Sequence, residues 1–384
     1  MTAFEMPPAK TQSAAPVKPV DMAAIARAAA ILEAGGLVAM PTETVYGLAA
    51  DADQEAAVTA TYRAKGRPLN HPLIVHVASA DDIPWWAEIT PEAQKLADRY
   101  WPGPLTMVLK KKPRCGSWVT GGQDTVALRC PSHPWAHALL AAYGGPEHRG
   151  LTAPSANSFG RISPSTAQHV REDLGEKPAG KLDLILDGGP CEFGIESTMI
   201  NLSGSRPEIL RHGVITRAML EEVLDCPVPD AGADAPRASG RLKSHYAPKT
   251  RAELLPAAQL PERAAELASE GIVLAVMGPQ MLRALLPANA ELAAFVEAPD
   301  DVLSYGASLY EALHELDHAF EAMTAPADVS SLPRLRIPLN GPRSTTGSSV
   351  QRPEAGAATS RPDHSALRKL WQTFLRLAEH PAGG

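Results

Sequence analysis

The sequence predicts an α/β protein with a mixed sheet, followed by a second, smaller α/β domain. Three observations carry that expectation. From Asp21 onward, short runs rich in Val, Ile and Leu alternate with helical patterns, the rhythm of strands laid between helices. A stretch poor in apolar periodicity, 226–250, interrupts the alternation, which resumes at Arg251. The 384 residues are 45% hydrophobic and 21% charged, ordinary globular values for a chain long enough to hold more than one core.

Each element has a local cause. Residues 1–20, rich in Pro and Ala with Lys and Ser, have no period and read as a disordered arm, because they bury too little surface to offset chain entropy. The first domain, 21–225, opens with DMAAIARAAAILEA, a helix capped by Asp21 and stopped at Gly35-Gly36. LVAM follows as a strand. Next come PLIVHVA (72–78), a helix from Pro91, PLTMVLK (104–110), TVALRC (125–130), a helix from Pro134, LTAP, a helix from Pro164, then DLILDGG, STMINL and EILRHG as strands. After the helix TRAMLEEVL, the Pro-, Gly- and Asp-rich 226–250 reads as a linker. The second domain, 251–384, shows a helix PERAAELASE, a buried strand GIVLAVMG and a helix over 304–323. Ser, Thr, Pro and Arg dominate 324–363, expected to be poorly ordered, before a final amphipathic helix with Leu367, Leu370, Trp371, Phe374, Leu375 and Leu377 on one stripe.

Composition removes several function classes. A net charge of −7 lacks the electropositive footprint of a dedicated nucleic-acid coat. Cys115, Cys130, Cys191 and Cys226 form no C-x-x-C pair, so neither a zinc ribbon nor a redox couple is expected. No run reaches eighteen apolar residues and the N-terminus has no secretory apolar core; the expected location is the cytoplasm, away from membranes.

Three motifs carry chemistry. In PTETVYGL (41–48) a strand runs into small hydroxyl residues and Glu43, at the kind of strand end where α/β sheets bind ligands; alone it equally fits a polar turn with Glu43 in solvent. In KGRPLNHPLIVHV (65–77), Lys65, Arg67 and His71 share a loop stiffened by Pro68 and Pro72. That cluster suits a polyphosphate, since Arg offers a fork and Lys a point charge, although a solvated basic loop and a core His76 fit too. In TAPSANSFGRISPST (152–166), Ser155, Asn157 and Ser163 precede a helix, a setting for an anion nest or for an ordinary capped turn. Arg129 closes a buried strand, and Ser197 and Arg211 stand near strand termini.

Taken in order, PTETVYGL, KGRPLNHPLIVHV, WPGPLTMVLKK, TVALRCPSHP, TAPSAN, GIESTMI and ILRHG closely resemble the threonylcarbamoyl-AMP synthase family (the Sua5, YrdC and YwlC group) in its long two-domain form, over residues 21–250. Seven ordered fragments are a far stronger signal than any one of them. The resemblance implies a YrdC-like domain with a twisted mixed sheet around an open basic cavity, and a smaller Rossmann-like C-terminal domain. It also implies condensation of L-threonine, bicarbonate and ATP into threonylcarbamoyl-AMP and pyrophosphate. That product would feed a tRNA threonylcarbamoyl transferase complex acting on adenosine 37 of tRNAs that read A-starting codons, with weak tRNA binding as an added contact.

Carried over by position, the K-x-R and S-x-N signatures fall on Lys65, Arg67, Ser155 and Asn157 as the catalytic grip on ATP phosphates. His71, Thr125, Ser163 and Arg211 would complete the nucleotide site. Thr44, His76, Arg129, the backbone at Ala153, and Ser197 would hold threonine, with Arg129 on its carboxylate; His245 and Tyr246 would form a lid. The resemblance implies Mg²⁺ travelling with ATP and no resident metal. Two departures stand out: Lys243 replaces a family tyrosine in GRLKSHYAP, and the family's arginine-rich ending is missing from 324–363.

Two rival readings rest on other residues. HELDH (314–318) matches the zinc-protease pattern. Leu309, Leu313, Leu316 and Phe320 form an apolar stripe that leaves His314 and His318 on the expected solvent side, which argues against a metal cleft. A non-enzymatic RNA-binding module would use the same basic cavity, but the acidic balance and the lack of a basic-aromatic stripe weaken it.

Overall fold

The computed structural model describes residues 17–240, 246–324 and 334–339. They divide into two compact units, one of Met1–Tyr246 with Pro299–His314 and one of Ala247–Ala298 with Glu315–Gly384. In chain order the first unit opens with α1 (Met22–Glu33), β1 (Val38–Met40), β2 (Gly47–Asp51), α2 (Glu55–Lys65), β3 (Ile74–His76), α3 (Ile83–Trp86) and α4 (Pro91–Tyr100). It continues through β4 (Leu105–Lys110), α5 (Ser117–Thr120), β5 (Thr125–Arg129), α6 (Pro134–Gly144), β6 (Leu151–Thr152) and α7 (Ala167–Asp173). β7 (Leu184–Ile185), β8 (Thr198–Asn201), β9 (Glu208–Arg211) and α8 (Arg217–Leu224) follow.

Among the described residues these strands make one nine-stranded sheet in the order β7-β1-β2-β6-β3-β5-β4-β8-β9. The sheet is mixed, as the sequence predicts: β3–β5 and β4–β8 are parallel, whereas β1–β2, β3–β6 and β4–β5 are antiparallel. Side chains cap the helices where expected, Asp21 accepting from the Ala23 and Ala24 amides and Thr90 from Ala93. The helix expected from Pro164 begins instead at Ala167, because Thr166 caps the His169 amide and holds Pro164 and Ser165 outside the helix. Strand β2 was hidden in the sequence by its Ala-rich GLAAD; pairing with β1 and β6 overrides that weak β propensity.

The core is dense on both faces. Trp86, Leu105, Leu128 and Ile200 centre one cluster, and Ile25, Leu32, Val38 and Leu139 another. Residues 1–16 of the expected arm lie outside the described residues, but 17–20 are docked: the Lys18 amide donates to the Gly188 carbonyl at 3.0 Å and its carbonyl accepts from Trp135 Nε1 at 2.9 Å.

The second unit contains β10 (Arg251–Pro256), α9 (Leu260–Ser269), β11 (Leu274–Gly278), β12 (Leu292–Glu297) and β13 (Arg334–Leu339). Its strands run parallel in the order β10-β13-β11-β12. β13 falls within 324–363, where LRIPL is the longest period: RLRIPL contains Pro338, yet it gains its backbone partners from β10 and β11, far away in sequence. The amphipathic stretch from Leu367 to Leu377 lies outside the described residues. α10 (Val302–Thr324) contributes its first thirteen residues, to His314, to the first unit and the rest to the second. Among the described residues no helix is long and apolar enough to cross a membrane.

Candidate active site

Strands β3 and β5 run parallel with the Cα atoms of His76 and Arg129 in register, so both side chains leave the sheet at neighbouring carboxyl ends. The chain between β1 and β2 lies across them. Thr42 closes that turn, its Oγ1 donating to the Val45 carbonyl at 2.6 Å and accepting from the Thr44 and Val45 amides at 3.2 Å. Glu43 and Thr44 are thereby brought onto Arg129: NH2 donates to Glu43 Oε1 at 2.6 Å and NH1 to Thr44 Oγ1 at 2.8 Å. Glu43 is 1% exposed and Arg129 4%, so the solvated alternative for Glu43 is overturned; burying a guanidinium demands a counter-ion. The second carboxylate oxygen accepts from the Ser132 amide at 3.1 Å. Arg129 Nε and His76 Nδ1 are buried with no partner among the described residues. Burial, reinforced by the Arg129 charge, pushes His76 down to about 3, so the imidazole is neutral at physiological pH.

The basic loop divides its labour. Gly66 takes a left-handed conformation (φ 64°) that ends α2 and turns Arg67 inward. Arg67 donates from NH2 to the Pro72 carbonyl and to Ser239 Oγ, both at 2.9 Å, and its guanidinium lies 5.6 Å from the centre of the Phe159 ring. Burial pulls it down only to about 10, leaving it charged at neutral pH. Lys65 is buried elsewhere: Nζ donates to the Ser155 and Asn157 carbonyls, each at 2.5 Å, and burial beside Arg67 pushes its pKa well down. Asn157 Nδ2 donates to the Ser158 and Arg161 carbonyls at 2.9 and 3.0 Å, shaping the loop from within. His71 packs edge-on against Phe159, with ring centres 5.4 Å apart; burial and Arg67 lower its pKa.

The third side comes from β8 and β9. Arg211 donates from Nε to the Ser197 carbonyl and from NH2 to Ser197 Oγ, both at 3.0 Å, and from NH1 to Tyr246 Oη at 3.4 Å. Glu196 accepts from Ser163 Oγ on Oε1 and from Tyr310 Oη on Oε2, each at 2.6 Å. These walls line an open cavity that gathers Thr44, Arg67, His76, Arg129, Ala153, Ser155, Ser197, Arg211 and Tyr246 of the sequence-derived set. Thr125 lines an adjoining shallow pocket, which shares Leu73, Ile74 and Ser239 with the first.

Lys65, Asn157, His71 and Ser163 are not among the cavity's lining residues, and His245 lies outside the described residues. Sequence reasoning left Glu43 open between a ligand site and a solvated turn, and missed Glu196, Ser239 and Tyr310. The first two stand inside quoted motifs, but their burial is a tertiary property; nothing local marks the other two.

His314 corrects the HELDH geometry. It is half-buried rather than solvated, stacking on His169 with ring centres 3.9 Å apart, and its Nε2 donates to the Ser163 carbonyl at 3.3 Å, while His318 is exposed. Among the described residues, no group of three or more His, Cys, Asp or Glu side chains could hold a metal ion.

A mixed α/β sheet with buried Arg129, Arg211 and His76 at its strand ends, and buried Arg67 on the loop after α2, has the chemistry of a site for a small anion beside a second polar group. The comparisons give that class a family. The Sua5, YciO and YrdC model, described as "Telomere recombination", matches residues 30–213, and the model "Threonylcarbamoyl-AMP synthase, C-terminal domain" matches 215–331. The chain is 44% identical to the threonylcarbamoyl-AMP synthases of Pyrococcus abyssi over 227 residues and of Bacillus subtilis over 230, in each case 58% of this chain and 64% of the relative. It thus spans a little under two-thirds of the length of those relatives. A putative threonylcarbamoyl-AMP synthase of Mycobacterium tuberculosis is 38% identical over 202 residues, 52% of this chain and 88% of the relative. The crystal structure of P. abyssi Sua5 complexed with L-threonine superimposes with a TM-score of 0.73 at 34% identity, covering 84% of this chain and 91% of the other. The chain belongs to the Sua5, YciO and YrdC family, in its long form with the synthase-type C-terminal domain.

Proposed function

We propose that this protein is an L-threonylcarbamoyladenylate synthase, which joins L-threonine, bicarbonate and ATP into threonylcarbamoyl-AMP with release of pyrophosphate. The observation that carries the reading is the pairing of His76 and Arg129 at adjacent parallel strand ends, each with a buried nitrogen left without a partner among the described residues, in the cavity that also holds Arg67 and Arg211. Buried polar atoms without partners are costly unless a ligand completes them. The names of the P. abyssi and B. subtilis relatives, and the L-threonine in the P. abyssi complex, support the same assignment.

On this reading Arg129 receives the threonine carboxylate through Nε, its other nitrogens being held by Glu43 and Thr44. Neutral His76, Thr44, Ser197 and the backbone at Ala153 complete the amino-acid site. Arg67, Arg211 and Ser155 face the phosphates and Thr125 the rest of the nucleotide, while Ser163 and His71 act from outside the lining, Ser163 on Glu196 and His71 against Phe159. Lys65 and Asn157 act from beneath by holding the 155–161 loop in shape. Tyr246 supplies the linker's contact through Arg211.

The neutral threonine amine adds to the carbon of carbon dioxide, formed from bicarbonate by loss of water, and the nitrogen gives up one proton to solvent as the carbamate forms. The resulting carbamate oxygen attacks the α-phosphorus of ATP, and the bond to the β-phosphate oxygen breaks as pyrophosphate leaves. No covalent enzyme intermediate is required, so catalysis is positioning and charge neutralisation by the arginines. The described lining of the cavity offers one carboxylate, Glu196, among three arginines, which does not fit a resident metal; Mg²⁺ belongs to ATP as its counter-ion. The product would pass to a transferase complex for tRNA position 37, with weak tRNA binding as a further contact. We place this work in the cytoplasm, which agrees with cysteines that are free.

Pyrophosphate release tests the proposal directly. Release from ATP with Mg²⁺ should require both bicarbonate and L-threonine, L-serine being the control. Arg67→Ala should abolish it while the circular dichroism stays that of the wild type; threonine-independent release, or full turnover in the variant, would remove the reading.

A further inference from the structure

Tyr310 lies within residues 215–331, matched by the C-terminal domain model, yet it packs in the unit that holds the cavity. One face of α10 makes this contact. Ala307, Tyr310 and His314 are spaced three and four residues apart, so they stack along one side of the helix. Tyr310 reaches a residue that lines the cavity, and its two neighbours meet the chain beside it. A Cβ on Gly194 would come within 2.2 Å of the Ala307 carbonyl, Tyr310 Oη donates to Glu196 Oε2 at 2.6 Å, and His314 Nε2 donates to the Ser163 carbonyl. Tyr310 is 1% exposed and its ring centre lies 5.9 Å from that of Tyr246, whose hydroxyl accepts from Arg211.

Glu196 is the only acidic side chain among the described residues lining the cavity, where Arg67, Arg129 and Arg211 supply the positive charge. Two hydroxyl donors hold it, Ser163 on one oxygen and Tyr310 on the other. A carboxylate released from that grip would turn toward the nearest guanidinium and compete with phosphate for it, because charge-assisted pairs outweigh neutral hydrogen bonds. We infer that Tyr310 is a positioning residue for the anion side of the cavity: it restrains Glu196 so that Arg67 and Arg211 remain open to phosphate. The Arg129 hydrogen bonds run instead to Glu43 and Thr44, so the amino-acid side should be largely indifferent to it. The inference rests on the synthase reading for the identity of the two ligands.

The test is calorimetric titration of the full chain with Mg²⁺-ATP and, separately, with L-threonine. Tyr310→Phe removes one hydroxyl and keeps the ring. It should weaken ATP binding about tenfold, the scale of a lost hydrogen bond to a charged group, and leave L-threonine binding within about twofold. The decisive arm is rescue: adding Glu196→Gln to Tyr310→Phe removes the competing charge and should restore ATP affinity to within about twofold of the wild type. A purely structural tyrosine would show no rescue. Unchanged ATP affinity in Tyr310→Phe, equal loss of both ligands, or a double variant weaker than Tyr310→Phe alone would each overturn the inference. Wild-type protein that binds neither ligand would overturn it together with the synthase reading.

Discussion

Replacing Glu43 by Gln probes the charge balance beneath the cavity. Arg129 and Glu43 meet at 2.6 Å with side chains only 5% and 2% exposed, and Glu43 also accepts from the Ser132 amide. Glutamine keeps the shape and an acceptor for that amide, but it strands a guanidinium inside the protein. Removing one partner of a buried pair costs about 3–5 kcal/mol. At roughly 2–4 °C per kcal/mol for units of this size, the thermal midpoint should fall by on the order of 10 °C. Differential scanning calorimetry at pH 7 reads that shift. A second scan with saturating L-threonine sharpens it. If the amino-acid carboxylate pairs with Arg129, the ligand supplies the missing counter-ion, so threonine should raise the midpoint of Glu43→Gln by more than it raises the wild type. A loss below about 2 °C would refute the buried-pair reasoning, and equal threonine shifts in both proteins would refute the placement of the carboxylate.

Two further predictions concern the same unit. Burial holds His76 near 3 in the folded protein, below the 6.5 of an unfolded imidazole, so the unfolded chain takes up a proton that the native state refuses. Stability is therefore complete above pH 6.5 and declines by about 1.4 kcal/mol per pH unit below it, about 2 kcal/mol by pH 5. His76→Gln should lower the slope measured by urea titrations by about 1.4 kcal/mol per pH unit, leaving the part due to His133, which burial holds near 4; an unaltered slope would contradict the assignment. Gly194 (φ 62°) faces the Ala307 carbonyl, whereas a Cβ added at Gly66 (φ 64°) would meet nothing within 4 Å. Gly194→Ala should thus cost clearly more than the roughly 1–2 kcal/mol of backbone strain expected at Gly66→Ala; equal losses would show that the close approach of 194 to the helix is unimportant.

Much of the site was legible because its residues cluster in short ordered motifs. Pro41, Gly66 and Arg129 mark turn and strand ends through their own chemistry, so the loops that carry Thr44, Arg67 and Ser197 can be located by local reasoning. Which member of a motif faces the cavity cannot. Lys65 and Arg67 are two residues apart, yet one holds loop carbonyls from beneath and the other lines the opening, because the helix ends between them at Gly66. Glu43 fits a solvated turn and a ligand site equally well by local reasoning, and only Arg129, 86 residues away, decides for burial by requiring a counter-ion. His314 looked solvated by helical arithmetic, which knows nothing of His169 stacked upon it.

By itself, the sequence determined the α/β class, the helix caps, the order of the motifs and the family they resemble. All of these are written in neighbouring residues through periodicity, turn chemistry and spacing. Tertiary structure alone decided the nine-strand order, the strand at 334–339, the Glu43–Arg129 pair and the place of Tyr310 behind Glu196. Each depends on partners distant in the chain, whose contact energy appears only once the backbone has closed the loops between them.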